Sequence, residues 1–143
     1  MELPTLPPDY KPDASEEYMS PMQLAYFRQK LNDHKSELMG MTHETLEDMK
    51  NQGGVSSPEL TDRATAETDW ALELRTRDRA RKFFNKIEAA LRRIEDGEYG
   101  YCEETGEPIG LKRLEARPEA ALSLAAQELH ERSEKLHRDE RTQ

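Results

Sequence analysis

The sequence predicts a mainly α-helical fold: a long antiparallel coiled-coil hairpin on a small globular base, the base holding a degenerate zinc-finger knuckle and a C-terminal helix. Three observations predict it. Apolar residues recur at alternating steps of three and four in two long runs, which is a narrow heptad-like seam. The runs are parted by Asn51-Gln52-Gly53-Gly54-Val55-Ser56-Ser57-Pro58, whose paired glycines and proline end a helix and turn the chain. Finally, 34% of the 143 residues are hydrophobic and 36% are charged. That mix is thin for a compact globule and suits long solvent-exposed helices.

Residues 1–19 form the first segment, with Pro4, Pro7, Pro8 and Pro12. Proline removes amide donors and fixes φ, so this is an extended arm, ordered only where it docks. Ser20, Pro21 and Gln23 then mark a helix start: a cap, a first-position proline and a capping-box partner. Leu24, Phe27, Leu31, His34, Leu38 and Met41 supply the first seam. The second helix begins near Ser57 to Asp62, and Leu74, Phe84, Ile87, Leu91 and Ile94 give its seam. It ends at Asp96-Gly97, where glycine suits a left-handed C-cap. Residues 20–96 are thus the hairpin, with its tip at about 51–64, and helices of this size reach ~45–50 Å.

Residues 97–143 form the rest of the base. Tyr99, Tyr101, Ile109 and Leu111 suit a minimal hairpin among glycines. A third helix is expected from about Arg117-Pro118 to His137, with Ala121, Leu122, Ala125, Ala126 and Leu129 as its apolar face. His130 and His137, seven apart, read as solvated positions on it.

The net charge of −9 argues against broad adhesion to nucleic-acid phosphates or anionic membranes. One cysteine excludes an internal disulfide framework and fits a reducing cytosol. The first residues lack a signal peptide's basic start and apolar core, and the run 120–126 is far too short to span a bilayer. A soluble cytoplasmic protein is expected. No nucleophile–base pair or phosphate-cradling loop points to an enzyme.

Three constellations carry chemistry. Cys102-Glu103-Glu104-Thr105-Gly106 keeps the frame of a Cys-x-x-Cys-Gly zinc turn, with a hydroxyl where the second thiolate belongs. Hydroxyls are poor zinc ligands, so Cys102 is expected to be a small buried residue and Thr105 no ligand at all. At the tip, Glu59 and Asp62 lie three residues apart and share one side of a starting helix, where they also favour its positive N-terminus. Arg75, Arg79, Lys82 and Lys86 recur at four, three and four, forming a basic stripe. Such a stripe is either salt-bridged solvation or a dock for acidic or phosphorylated partners.

Glu16-Glu17-Tyr18-Met19, Leu72-Glu73-Leu74-Arg75-x-Arg77-Asp78-Arg79 and Ile109-Gly-Leu-Lys-Arg-Leu-Glu-Ala-Arg-Pro118, together with the knuckle, carry a resemblance across nearly the whole chain. The chain resembles the DksA/TraR family of bacterial RNA polymerase-binding transcription factors, in its cysteine-poor form. The resemblance implies that the second pair of zinc positions falls on Ser123 and Ala126, neither of them a ligand, so the knuckle folds without zinc. Packing of Tyr99, Tyr101, Ile109, Leu111 and Leu114 against Leu122, Leu124 and Leu129 is expected to replace the metal.

It implies further that Glu59, Asp62 and Ala64 match the family's Asp-x-x-Asp-x-Ala tip, which enters the polymerase secondary channel near the active site. Arg79, Lys82, Phe83, Lys86, Arg113 and Arg117 match residues that bind polymerase and guanosine tetraphosphate (ppGpp), while Gln127 replaces a family lysine. The implied function is a non-enzymatic regulator of promoter complexes in the stringent response, monomeric and without direct DNA contact. Two alternatives differ from it: a secondary-channel factor that assists transcript cleavage, and a plain coiled-coil adaptor.

Overall fold

A computed structural model describes the backbone of residues 2–52 and 60–142, and the side chains of residues 2–41 and 66–138. Among the described residues four helices follow one another: α1 (Pro21–Gln52), α2 (Leu60–Asp96), α3 (Leu111–Ala116) and α4 (Leu124–Thr142). No strand occurs among the described residues; one antiparallel bridge joins Tyr101 to Pro108. The fold is mainly α and built on the antiparallel hairpin of α1 and α2. The chain divides into two compact units, one of Met1–Leu31 with Glu88–Gln143 and one of Asn32–Ile87.

The helix ends follow local chemistry. The Gln23 amide N–H donates to Ser20 Oγ at 3.3 Å, and Gln23 Oε1 accepts from the Met19 N–H at 2.8 Å. This is a capping box shifted by one residue, because the Ser20 N–H is already bonded to Glu17 O at 3.1 Å. At the far end of α2, the Glu98 N–H reaches Arg93 O at 2.8 Å and the Gly97 N–H reaches Ile94 O at 3.2 Å. With Gly97 at φ 76° this is a Schellman cap.

The unit containing the arm holds most of the core. Leu24, Phe27, Leu31, Ala90, Ile94, Tyr99, Ile109, Leu114 and Ala126 are buried there. Aromatic rings link the arm to α1 and the start of the knuckle: Tyr10–Tyr26 at 6.2 Å, Tyr26–Phe27 at 5.3 Å and Phe27–Tyr99 at 5.8 Å. The Tyr99 hydroxyl donates to Pro118 O at 2.8 Å. Arg93, 8% exposed, donates to Glu103 and to Ala120 O, both at 3.3 Å, tying the end of α2 to two loops. The arm is therefore docked. Its backbone takes a left-handed turn at Met19 (φ 57°) and lays the Met19 side chain on Gly100.

A Cβ at Gly100 would lie 2.5 Å from Met19 Sδ, at a backbone φ of +95°. Gly100→Ala is therefore expected to destabilise this unit by about 1–3 kcal/mol, read as a lower denaturation midpoint. A midpoint equal to wild type would show that Met19 does not hold this position.

In the Asn32–Ile87 unit, the rings of His34 and Phe83 lie 6.4 Å apart, and Lys35 Nζ sits 5.5 Å from the Phe84 ring centroid. Leu74 departs from the expected seam and is 42% exposed. Going back by heptads from buried Ile87 gives Ala80 and Glu73, and these, with Arg77, are the half-buried positions of residues 71–80. Leu74 falls one residue off that register. Met41 also points outward.

The helices of the base differ from expectation. Residues 117–123 do not begin a long helix. Leu111–Ala116 is a short helix of its own, and Arg117 is its C-cap. The last helix starts at Leu124, because Ser123 caps it: the Ala126 N–H donates to Ser123 Oγ at 3.2 Å and the Gln127 N–H to Ser123 O at 2.9 Å.

Candidate functional site

The knuckle is a tight loop between Tyr99 and Gly110. The Cys102 N–H donates to Glu107 O and the Ile109 N–H to Gly100 O, both at 2.8 Å, while the Gly106 N–H closes back on Cys102 O at 2.9 Å. Cys102 is buried. Burial pushes its thiol pKa up. Hydrogen bonds from the Thr105 hydroxyl and from the backbone N–H groups of Ser123, Thr105 and Glu104 outweigh that, bringing it down to about 6.

A C4-type zinc site needs four soft or nitrogenous donors in a tetrahedron. Cys102, Thr105, Ser123 and Ala126 offer one sulfur, two hydroxyls and a methyl group, and they do not fit that metal. Side chain and backbone at these positions instead bond to one another. The Thr105 hydroxyl and the Ser123 backbone N–H donate to the Cys102 sulfur, and Ser123 Oγ takes the Ala126 N–H at 3.2 Å. Thr105 Oγ1 also accepts from the Glu107 N–H at 3.2 Å. Among the described residues no group of three or more His, Cys, Asp or Glu side chains is arranged to hold a metal.

The packing around this loop uses part of the expected set. Tyr99, Ile109 and Leu114 are buried, but Leu129 is 63% exposed and Leu124 is exposed as well. On α4, which Ser123 caps, Ala126 is buried while Leu129 is not. Phe27, Met19 and Pro118, which sequence periodicity did not single out for this role, supply contacts or buried volume instead. His130 is not simply solvated: its Nε2 bonds to Glu104 Oε1, and that hydrogen bond together with the carboxylate charge raises its pKa.

A thiol pKa lowered on folding has a definite consequence for stability. The thiolate contributes fully above the ordinary value near 9, and the contribution fades as pH falls through about 6. Wild-type protein is expected to gain thermal stability between pH 6 and pH 9 relative to Cys102→Ser, with ultraviolet thiolate absorbance appearing near pH 6. Parallel pH profiles for the two proteins would refute the bonding pattern around the sulfur.

The basic residues lie in both units. Arg79, Lys82 and Lys86 are exposed on α2 in the Asn32–Ile87 unit, and Phe83 is half-buried there. Arg113 and Arg117 belong to the other unit, on and just after α3. Arg113 is half-buried, and its Nε donates to Leu122 O at 3.0 Å. Arg117 is exposed, and its N–H bonds to Arg113 O at 2.7 Å. Gln127 is half-buried and donates to Glu131 at 3.3 Å.

Glu59 lies outside the described residues; Asp62 and Ala64 belong to the start of α2, with side chains outside them. On α3, Glu115 accepts from Tyr26 at 2.6 Å and from Lys30 at 2.8 Å, a link from α1 that has no local signal in the amino-acid pattern. No helix among the described residues is long and apolar enough to cross a membrane.

Comparison with known proteins completes the description. Residues 23–94 match the family described as DnaK suppressor protein DksA, N-terminal domain. Residues 97–132 match the prokaryotic dksA/traR C4-type zinc finger, although this chain has a single cysteine. The chain is 56% identical over 132 residues to the RNA polymerase-binding transcription factor DksA of Caulobacter vibrioides, covering 92% of each. It is 42% identical over 126 residues to the protein of the same description from Escherichia coli, covering 88% of this chain and 83% of that one. A solved structure of transcription factor DksA2 from Pseudomonas aeruginosa aligns with a TM-score of 0.76 and 38% identity, over 87% of this chain and 94% of that one. On the matches over both its halves and a 56% identical relative spanning nearly its whole length, the chain belongs to the DksA family.

Proposed function

We propose that this chain is a non-enzymatic transcription regulator that binds RNA polymerase through its secondary channel. With ppGpp it alters promoter-complex stability in the stringent response, and it needs no zinc to do so. The observation that carries this reading is the 56% identity, over 92% of both chains, to a relative described as an RNA polymerase-binding transcription factor. The physical features agree with it. An acidic chain of net charge −9 with long helices suits a protein partner better than a nucleic acid. The Asn32–Ile87 unit exposes Trp70, Leu72 and Leu74 beside charged residues, a mixed surface suited to docking on protein.

Glu59, Asp62 and Ala64 serve as the tip near the polymerase active site. Arg79, Lys82, Phe83, Lys86, Arg113 and Arg117 contact polymerase and the nucleotide's phosphates, for which arginine's planar fork is well shaped. Hydrogen bonds among Cys102, Thr105, Ser123 and Ala126 stand in for the metal.

The test is transcription in vitro from a ribosomal promoter, with and without ppGpp, in buffer containing a chelator. Transcript yield is expected to change on adding the protein, to change further with ppGpp, and to ignore the chelator. Unchanged yield throughout would overturn the reading; short 3′ RNA fragments from a stalled elongation complex would redirect it to transcript cleavage.

A further inference from the structure

Helix α3 has six residues, too few to be stable alone, so its direction is set by whatever holds its two ends. The C-terminal end is held by its own chain. The Arg117 N–H bonds to Arg113 O at 2.7 Å and the Ala120 N–H to Arg117 O at 3.0 Å. The N-terminal end is different. Gly110 is its N-cap and has no side chain with which to cap it. Its N–H donates instead to the hydroxyl of Tyr18, 92 residues earlier, at 3.0 Å. That hydroxyl donates in turn to Gly100 O at 2.6 Å.

Gly100 O already accepts the Ile109 N–H at 2.8 Å, the rung beyond Cys102 N–H to Glu107 O. The phenol oxygen therefore bridges the two sides of the knuckle, from Gly100 O to the Gly110 N–H. The ring is fixed by an edge-to-face contact with Tyr101, at 5.6 Å between centroids. Burial chiefly raises the phenol pKa, so the group keeps the proton that it donates.

We propose that Tyr18 is a positioning residue for Arg113 and Arg117, its hydroxyl bridging the two sides of the knuckle and setting where α3 begins. The functional part rests on the reading of those arginines as polymerase and nucleotide contacts. The positioning itself does not. One O–H must both donate to Gly100 and accept from Gly110, and phenylalanine can do neither while filling the same space. Tyr10 is the matched control on the same arm: its hydroxyl donates only locally, to Glu16 at 2.7 Å, and does not reach Gly110.

The experiment compares wild type, Tyr18→Phe and Tyr10→Phe by amide hydrogen exchange and by the nuclear magnetic resonance signal of the Arg113 Nε–H. Tyr18→Phe is expected to speed exchange at Gly110 by about tenfold and to weaken protection of the Arg113 Nε–H, with helicity retained. Tyr10→Phe is expected to do neither. Unchanged exchange at Gly110 and Arg113 in Tyr18→Phe, or an equal effect of Tyr10→Phe, would overturn the proposal. In the transcription assay, Tyr18→Phe is expected to raise the ppGpp concentration needed for half effect several-fold, whereas Tyr10→Phe is expected to leave it as in wild type. An equal rise in both variants would mean general destabilisation of the arm and refute positioning. Absence of a ppGpp response in wild type would defeat the nucleotide reading alone, and the exchange result would still decide the role of Tyr18.

Discussion

Phe27→Ala is expected to cost about 3–5 kcal/mol, a large share of the 5–15 kcal/mol that holds a typical domain folded. Phe27 is fully buried, and its ring lies 5.3 Å from Tyr26 and 5.8 Å from Tyr99. Truncation leaves a cavity between α1 and the loop that begins the knuckle, and it breaks the row of rings that starts at Tyr10. Chemical denaturation reads the loss directly. Phe27→Leu, which keeps most of the volume, is expected to cost less than half as much. A loss below about 1 kcal/mol for Phe27→Ala would show that the rings are not what holds the arm, helix and knuckle together.

Asp62→Asn is expected to lower the effect on transcription by about tenfold or more while polymerase affinity and helicity stay near wild type, since each factor of ten is only 1.36 kcal/mol of barrier. The substitution keeps shape and removes one charge. If Asp62 acts electrostatically near the polymerase active site, that charge is its contribution. Glu59→Gln is expected to act in the same direction and more weakly, because the longer side chain holds its charge less firmly. Transcription and binding assays on the same preparation check both. Full activity in Asp62→Asn would remove the tip from the mechanism; loss of helicity would assign the residue to capping α2.

What could be read in advance divides by distance along the chain. Ser20, Gln23 and Gly97 announced their helix ends because capping involves residues within a turn of each other. The long helices were legible because their period repeats many times. Helix α3 was not, since six residues give less than two periods. The cap at Ser123 was not legible for a different reason. Viewed as a lost ligand, the residue hid its ordinary capacity to cap α4. The seam register of α2 slipped at Leu74 because an apolar residue one place off the heptad is as apolar as one on it. Contacts such as Lys30 with Glu115, 85 residues apart, leave no mark on local pattern at all.

In the candidate site, the residue types were legible and their bonding was not. The loss of zinc ligands is visible in the letters. That Thr105 and Ser123 would turn their donors onto the one remaining sulfur depends on how α4 meets the loop.

The unit that holds the knuckle is assembled from both ends of the chain, Met1–Leu31 and Glu88–Gln143, and this imposes a schedule on synthesis. Tyr18 leaves the ribosome with no partner; Gly110 follows 92 residues later. At ordinary translation rates that is a wait of ~5–20 s. Helix α1 and the Asn32–Ile87 segment of the hairpin, whose contacts are closer in sequence, can form during the wait. Tyr10 and Met19 can already meet α1, but the Tyr18 hydroxyl stays unclaimed until the knuckle arrives, so one of the first residues made is among the last to be locked in place.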